Sequence, residues 1–260
     1  MIGEYISVTE ISGDQVTQEQ LERLYNRYYW AGQYCSNKDV IEVACGTGQG
    51  LRYLSKIARS LKAGDYSNDI LSIARQHYGD LFSLRQFDAQ DMPFPDKSED
   101  VIILFEAIYY IDDAEKFVSE CVRILRPGGK VLIATANKDL YDFNPSPFSH
   151  KYYGVCELND LFKKFGFKPE FYGDTPVNNL SIRQKIVRFI KKIVVKLGLM
   201  PKTMEGKKFL KRIVFGRLVT MPAEIDSNTS KYIKPTPLLE IKADRIHKVI
   251  FCAATIDDSD

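Results

Sequence analysis

Apolar positions along the chain fall into two alternating periods. After Thr17-Gln-Glu-Gln20, which fits a capping box, Leu21, Leu24, Tyr25 and Tyr28 recur at helical spacing and predict a helix to about Tyr34. Val40-Ile-Glu-Val-Ala44 then reads as a short β-branched run that stops at Gly46, a buried strand. Further apolar runs at Leu61–Gly64, Phe82–Phe87, Val101–Phe105 and Lys130–Thr135 alternate with helix-like stretches at about 49–58, 67–78 and 112–125. Pro127-Gly-Gly129 predicts the turn that ends the last of these helices. A helix over Cys156–Phe165 and a strand over Phe167–Tyr172 follow, and His247–Ile256 is strand-like again.

Strand alternating with helix predicts an α/β fold, a doubly wound and mostly parallel sheet. The alternation breaks between 176 and 244, where prolines cluster. The expected organisation is an N-terminal helical cap over 1–37, a core over 38–175, a basic helical insertion or lid over 176–244, and a last core strand with a tail over 245–260. Within the insertion, Ile182, Ile186, Val187, Phe189, Ile190, Ile193, Val194 and Leu197 share one helix face. Lys185, Arg188, Lys191, Lys192 and Lys196 share the other. Such helices lie on membranes or on other proteins.

Composition sets the class. At 260 residues, 45% hydrophobic and 27% charged, the chain is an ordinary globular protein and needs no disulfide staple. Five cysteines without a CxxC pair suggest neither a disulfide framework nor a metal site, so free thiols are expected. No apolar run reaches bilayer length and the first residues lack a signal-peptide pattern, which makes the cytoplasm the expected location. The net charge of +2 hides an asymmetry: residues 183–217 hold twelve Lys or Arg and one acid, a local +11, leaving −9 to the rest. A basic segment on an acidic body predicts an anionic partner: a phosphate-bearing substrate, a membrane surface touched through 183–217, or nucleic acid.

The motif that carries chemistry follows the first core strand: Glu42-Val-Ala-Cys-Gly46-Thr-Gly48-Gln-Gly50. Glycines at a strand-to-helix switch let a ligand approach the backbone and the helix N–H groups. The dinucleotide fingerprint G-x-G-x-x-G fails, because its sixth position is Leu51. What fits is the (D/E)-x-x-x-G-x-G-x-G pattern. Asp65 ends the next strand, Asp88-Ala-Gln-Asp91 and Met-Pro-Phe-Pro-Asp96 follow the third, and Arg123-Ile-Leu-Arg-Pro-Gly-Gly129 leads into the fifth. In this order the segments resemble the class I S-adenosylmethionine-dependent methyltransferases, within them the small-molecule group called type 11.

The resemblance implies a Rossmann-like seven-stranded sheet with an antiparallel last strand, and S-adenosylmethionine as cofactor. It implies that Asp65 accepts from the ribose hydroxyls, with Tyr66 beside it, and that Asp88 and the Ala89 N–H meet the adenine. Gly46 and Gly48 would line the methionine end, with Glu42 supporting that loop. Arg27-Tyr28-Tyr29-Trp30-Ala31 looks like the segment relatives carry before the first strand, where Arg27 or Tyr28 would hold the cofactor carboxylate. Phe105 would complete the cofactor wall.

Methyl transfer from a sulfonium asks the protein mainly for alignment, with a general base where the acceptor carries a proton of high pKa. Glu106 and Tyr109, just after the fourth strand, and His150 beyond the fifth are the candidate catalytic residues, His150 as base. His77 and His247 are not expected to take part. Motifs of adenine N6, cytosine C5 and arginine methyltransferases are absent or incomplete; Glu106 and Glu115 have a double-Glu spacing without its Thr-His-Trp companion. The phrases Phe105-Glu-Ala-Ile-Tyr-Tyr110, Asn144-Pro-Ser-Pro-Phe-Ser149 and Met200-Pro-Lys-Thr-Met-Glu-Gly206 are similar to enzymes of surface-polysaccharide synthesis. They imply O-methylation of a sugar, nucleotide sugar or lipid-linked glycan. An RNA-modifying enzyme that uses the basic insertion, and a non-catalytic cofactor-binding partner protein, are the alternatives; nucleic acid is not the expected partner.

Overall fold

The computed structural model of the chain describes residues 9–177, 218–226 and 228–257. The expected amphipathic helix and the basic segment 183–217 lie outside the described residues. In chain order the elements are β1 (Gln15–Val16), α1 (Gln18–Cys35), β2 (Asp39–Val43), α2 (Leu51–Ser55), β3 (Ser60–Asp65), α3 (Asn68–Tyr78), β4 (Leu84–Gln86), β5 (Glu99–Phe105), α4 (Ala114–Ile124), β6 (Leu125–Ala136), α5 (Val155–Lys164), β7 (Phe167–Pro176), β8 (Val219–Thr220), β9 (Thr236–Leu238) and β10 (His247–Ile256).

Eight strands form one sheet in the order β4-β3-β2-β5-β6-β10-β7-β9. β4 to β6 run parallel, and β10 enters antiparallel between β6 and β7. These are the seven strands expected, with the last one reversed. The eighth, β9, pairs antiparallel with β7 through Phe171–Leu238 and Gly173–Thr236. Residues 236–238, expected within the insertion, therefore belong to the sheet.

Both faces are covered. Ile102, Leu104, Val131, Ile133 and Cys252 pack with Phe117 and Cys121 of α4 and Leu158 and Phe162 of α5. Val40, Val101, Ile103, Leu132 and Phe251 pack with Leu24, Trp30, Ala31 and Cys35 of α1. Trp30 stacks on Phe251 at 4.8 Å between centroids. Burial of several large side chains, each worth roughly 1.5–3 kcal/mol, makes α1 part of the main hydrophobic layer. The predicted capping box is present: Gln20 N–H donates to Thr17 Oγ1 at 3.2 Å and Thr17 N–H to Gln20 Oε1 at 3.1 Å.

Two further details position the cleft. Pro127-Gly-Gly129 is not a turn outside the strand, as expected, but a bulge within β6. The register to β5 jumps from Glu99–Leu125 to Val101–Lys130, and Gly128 sits at φ +72°. On α4, Arg123 donates to the carbonyls of Phe94 (2.7 Å) and Met92 (3.0 Å) and pairs with Glu120 and Asp96. Because Met92 N–H donates to Glu120 at 2.8 Å, the Met92–Asp96 loop is fastened to α4 from both sides.

Candidate active site

The C-terminal ends of the parallel strands open onto a cleft of about 1380 Å³. This is the edge where doubly wound sheets bind ligands, and the volume exceeds what a single ligand needs. Ten of the sequence-predicted residues line it: Arg27, Tyr28, Gly46, Asp65, Tyr66, Asp88, Ala89, Phe105, Glu106 and Tyr109; His150 joins them at the rim. Glu42 and Gly48 do not.

The turn after β2 explains both exceptions. Ala44, Gly46 and Gly48 all adopt positive φ, at +54°, +59° and +85°, so the chain reverses sharply before α2. Gly48 faces away from the cleft. A Cβ there would lie 2.8 Å from the Tyr78 ring, whose hydroxyl donates to the Gly48 carbonyl at 2.7 Å. Its smallness admits α3 rather than a ligand. Glu42 lies beneath the turn, fully buried, and accepts a hydrogen bond from the Tyr28 hydroxyl while its Oε2 has no partner among the described residues. Burial pushes its carboxyl up to about 7, against the Tyr28 bond and the Arg27 charge, with Asp65 adding to the rise.

Asp65 ends β3 with both carboxylate oxygens engaged by backbone, Oδ2 by Gly46 N–H at 3.0 Å and Oδ1 by Ser67 N–H at 2.9 Å. Each oxygen keeps acceptor capacity for a ligand in the cleft. Burial raises this carboxyl's pKa while the backbone donors oppose the rise. Asp88 is more occupied: its Oδ1 accepts from the Gln90 N–H at 2.8 Å and from the Gln90 side chain at 3.2 Å, a local turn cap as well as a cleft wall. Phe105 meets Tyr28 edge-on at 5.4 Å.

Arg27 is buried and ion-paired to Glu10 at 2.7 Å, a partner not foreseen from the sequence. Its Nε has no partner among the described residues.

The other end of the cleft is aromatic. Glu106 adopts φ +51° and donates its N–H to the Ala134 carbonyl at 2.7 Å, an arrangement that aims its carboxylate into the cleft, where the Tyr109 hydroxyl donates to it at 3.0 Å. Burial raises the Glu106 carboxyl, and the positive charges of Arg27 and Arg23 oppose the rise. Tyr109 stacks on Tyr152 at 4.3 Å and meets Tyr110 edge-on at 4.6 Å. His150 lies half exposed, its Nδ1 3.5 Å from Asp112, and its backbone N–H donates to the Tyr109 carbonyl at 2.8 Å. The geometry thus sets Glu106 on the cleft wall and His150 at its mouth. Tyr152 was not singled out from the sequence, since only the fold brings it onto Tyr109.

Residues 41–133 match the family model described as a methyltransferase domain. This segment is a type 11 class I S-adenosylmethionine-dependent methyltransferase domain. Among curated relatives, a probable S-adenosylmethionine-dependent methyltransferase of Mycolicibacterium smegmatis is 34% identical over 140 residues, 52% of this chain and 54% of that protein. A fatty-acid O-methyltransferase of the same organism is 35% identical over 102 residues, 38% of this chain and 37% of that protein. The chain spans about half the length, or less, of these relatives. The crystal structure of the Bacillus subtilis protein YcgJ superposes with a TM-score of 0.58 at 16% identity, covering 90% of this chain and 99% of that one, and shows the fold alone.

The methyltransferase domain fits its cofactor. The strand-to-helix turn with Gly46 at positive φ, the two carboxylate oxygens of Asp65 at the end of β3 and Arg27 with its orphaned Nε stand around one cleft, and the orphaned Glu42 oxygen lies buried beneath the turn. A zwitterionic amino-acid end and a ribose diol call for such groups. Among the described residues no cluster of His, Cys, Asp and Glu is arranged to hold a metal ion, and no helix is long and apolar enough to cross a membrane. All five cysteines are free thiols.

Proposed function

We propose that the protein is an enzyme that transfers a methyl group from S-adenosylmethionine to an oxygen of a small molecule, in particular a sugar, nucleotide sugar or lipid-linked glycan. The observation that carries the reading is the continuity of one cleft from the Gly46 and Asp65 end to the Glu106 and Tyr109 end. When bound, S-adenosylmethionine supplies a methyl group already activated on a sulfonium.

Asp65 receives the ribose hydroxyls, Asp88 and the Ala89 N–H receive the adenine, and Arg27 receives the carboxylate. Glu42 holds the loop and the cofactor's ammonium from below. Phe105 and Tyr28 close the wall and exclude water. On the acceptor side Glu106 would take the proton of the acceptor hydroxyl that receives the methyl group. Its desolvated, raised pKa suits a base better than a solvated carboxylate would. Tyr109 orients Glu106, and Tyr109 and Tyr110, which line the cleft, offer aromatic surface to an apolar or sugar ring. His150 contacts the acceptor at the rim instead of serving as the base.

The fatty-acid O-methyltransferase relative supports oxygen as the acceptor atom. The basic segment 183–217 is read as the site for the acceptor's phosphate or for an anionic membrane surface that holds it. Incubation with methyl-labelled S-adenosylmethionine and fractionated host extract tests the proposal. Label in polar small molecules or organic-soluble lipid is expected; label confined to nucleic acid or protein overturns it.

A further inference from the structure

The strap ahead of α1 occupies ground that the cofactor reading needs. Thr9 and Glu10 line the cleft, and the Glu10 carboxylate pairs with Arg27 at 2.7 Å. The strap's backbone rests on the cofactor loop: Gln49 Nε2 donates to the Glu10 carbonyl at 2.7 Å and Thr47 Oγ1 at 3.5 Å. The Thr9 methyl stands 3.7 Å from where a Cβ on Gly46 would lie. Arg27 is the more deeply buried partner of the pair, with side-chain exposure of 11% against 31% for Glu10. The arginine is fixed in the layer and the glutamate is the end that can leave. Beyond Glu10 the strap is held by a few backbone bonds: Gly13 N–H to Met221 O at 2.9 Å, Met221 N–H to Asp14 O at 2.8 Å, and the two-residue ribbon of β1 with β8.

We propose that Glu10 is a stand-in carboxylate, which neutralises Arg27 in the cofactor-free protein and is exchanged for the α-carboxylate of S-adenosylmethionine when the cofactor binds, lifting Thr9–Asp14 off the Gly46 loop. The proposal rests on the cofactor placement above. Physically, an arginine buried without an anion is costly, so the site keeps one carboxylate or the other. Apparent affinity is reduced by the fraction of molecules in which Glu10 holds the seat.

Calorimetric titration of wild type and Glu10→Gln with S-adenosylmethionine and with 5′-methylthioadenosine, which keeps the nucleoside and thioether but has no amino-acid end, tests this. The variant is expected to bind S-adenosylmethionine about tenfold more tightly, the effect of removing one competing charge-assisted bond. Its affinity for 5′-methylthioadenosine is expected to stay within about twofold. Unchanged or weaker S-adenosylmethionine binding by the variant, with wild type binding normally, overturns the exchange; weaker binding would make Glu10 a cofactor ligand. If wild type binds neither compound, the cofactor placement fails and the exchange falls with it. A second measurement needs no variant. Hydrogen exchange at the Gly13 and Met221 amides of wild type is expected to accelerate on adding S-adenosylmethionine; slower exchange overturns the proposal.

Discussion

The Tyr28 hydroxyl donates to the Glu42 carboxylate, tying α1 to β2 directly beneath the loop that carries Gly46. This bond is the only one Glu42 makes among the described residues through its side chain, and it leaves Oε2 buried without a donor. A carboxylate so placed prefers to be protonated until a cation arrives, which is why its pKa rises to about 7.

A raised folded-state pKa gives a signed pH dependence. An acid near 4.5 in the unfolded chain and near 7 in the fold binds more protons when folded, so its contribution is fully present below about 4.5 and is lost as pH rises through 7. Glu42→Gln, which stays neutral, is expected to gain about 2–3 kcal/mol relative to wild type between pH 5 and pH 8 without cofactor. Urea unfolding at the two pH values measures it; a stability difference that does not change with pH contradicts it.

Gly50 shows how closely α1 approaches this loop. A Cβ there would lie 1.9 Å from Tyr28 Cε1, so the ring would have to leave Glu42 or the helix would have to retreat. Gly50→Ala is expected to cost about 1–3 kcal/mol by overpacking. It should also weaken S-adenosylmethionine binding. Wild-type values for both the denaturation midpoint and the affinity would contradict the packing.

Arg123 holds the Met92–Asp96 loop through the Phe94 and Met92 carbonyls and the Asp96 carboxylate. Arg123→Ala is expected to destabilise the protein by about 1–3 kcal/mol and to free the loop next to Asp88. Limited proteolysis between Asp88 and Asp100 reads this directly: cleavage should begin there in the variant and not in wild type.

The split between the two ends of the cleft is testable by kinetics. Glu106→Gln is expected to lower turnover about 100-fold or more while S-adenosylmethionine affinity stays within about twofold, as for loss of a general base. Tyr109→Phe, which removes the 3.0 Å bond to Glu106, should lower turnover less and shift its pH profile. Full turnover in Glu106→Gln would remove Glu106 from the chemistry.

Much of this was readable before the fold was known, because the information is local. The capping box at Thr17, the β-branched run at Val40, the spacing from Glu42 to Asp65 and the strand of β10 each lie in one stretch of chain, and each element forms within a few residues of where its pattern puts it. What could not be read depends on distant partners. β1 with β8 and the strand β9 are two or three residues long and carry no period. The role of Gly48 turns on Tyr78, thirty residues on, and Glu10 meets Arg27 only because the strap folds back over the loop. Pro127-Gly-Gly129 has the composition of a turn, yet its pairing with β5 makes it a bulge. The stacking of Tyr152 on Tyr109 was not legible either, since only loop packing brings the two rings together.

The cleft is expected to hold S-adenosylmethionine with Asp65 on the ribose. Calorimetric titration of wild type and Asp65→Ala tests it most directly, with the thermal midpoint of each confirming that both are folded. Saturable one-to-one binding by wild type and at least about tenfold weaker binding by the variant are expected, the loss of one or two charge-assisted hydrogen bonds. No binding by wild type, or equal affinity in the two proteins, would contradict it.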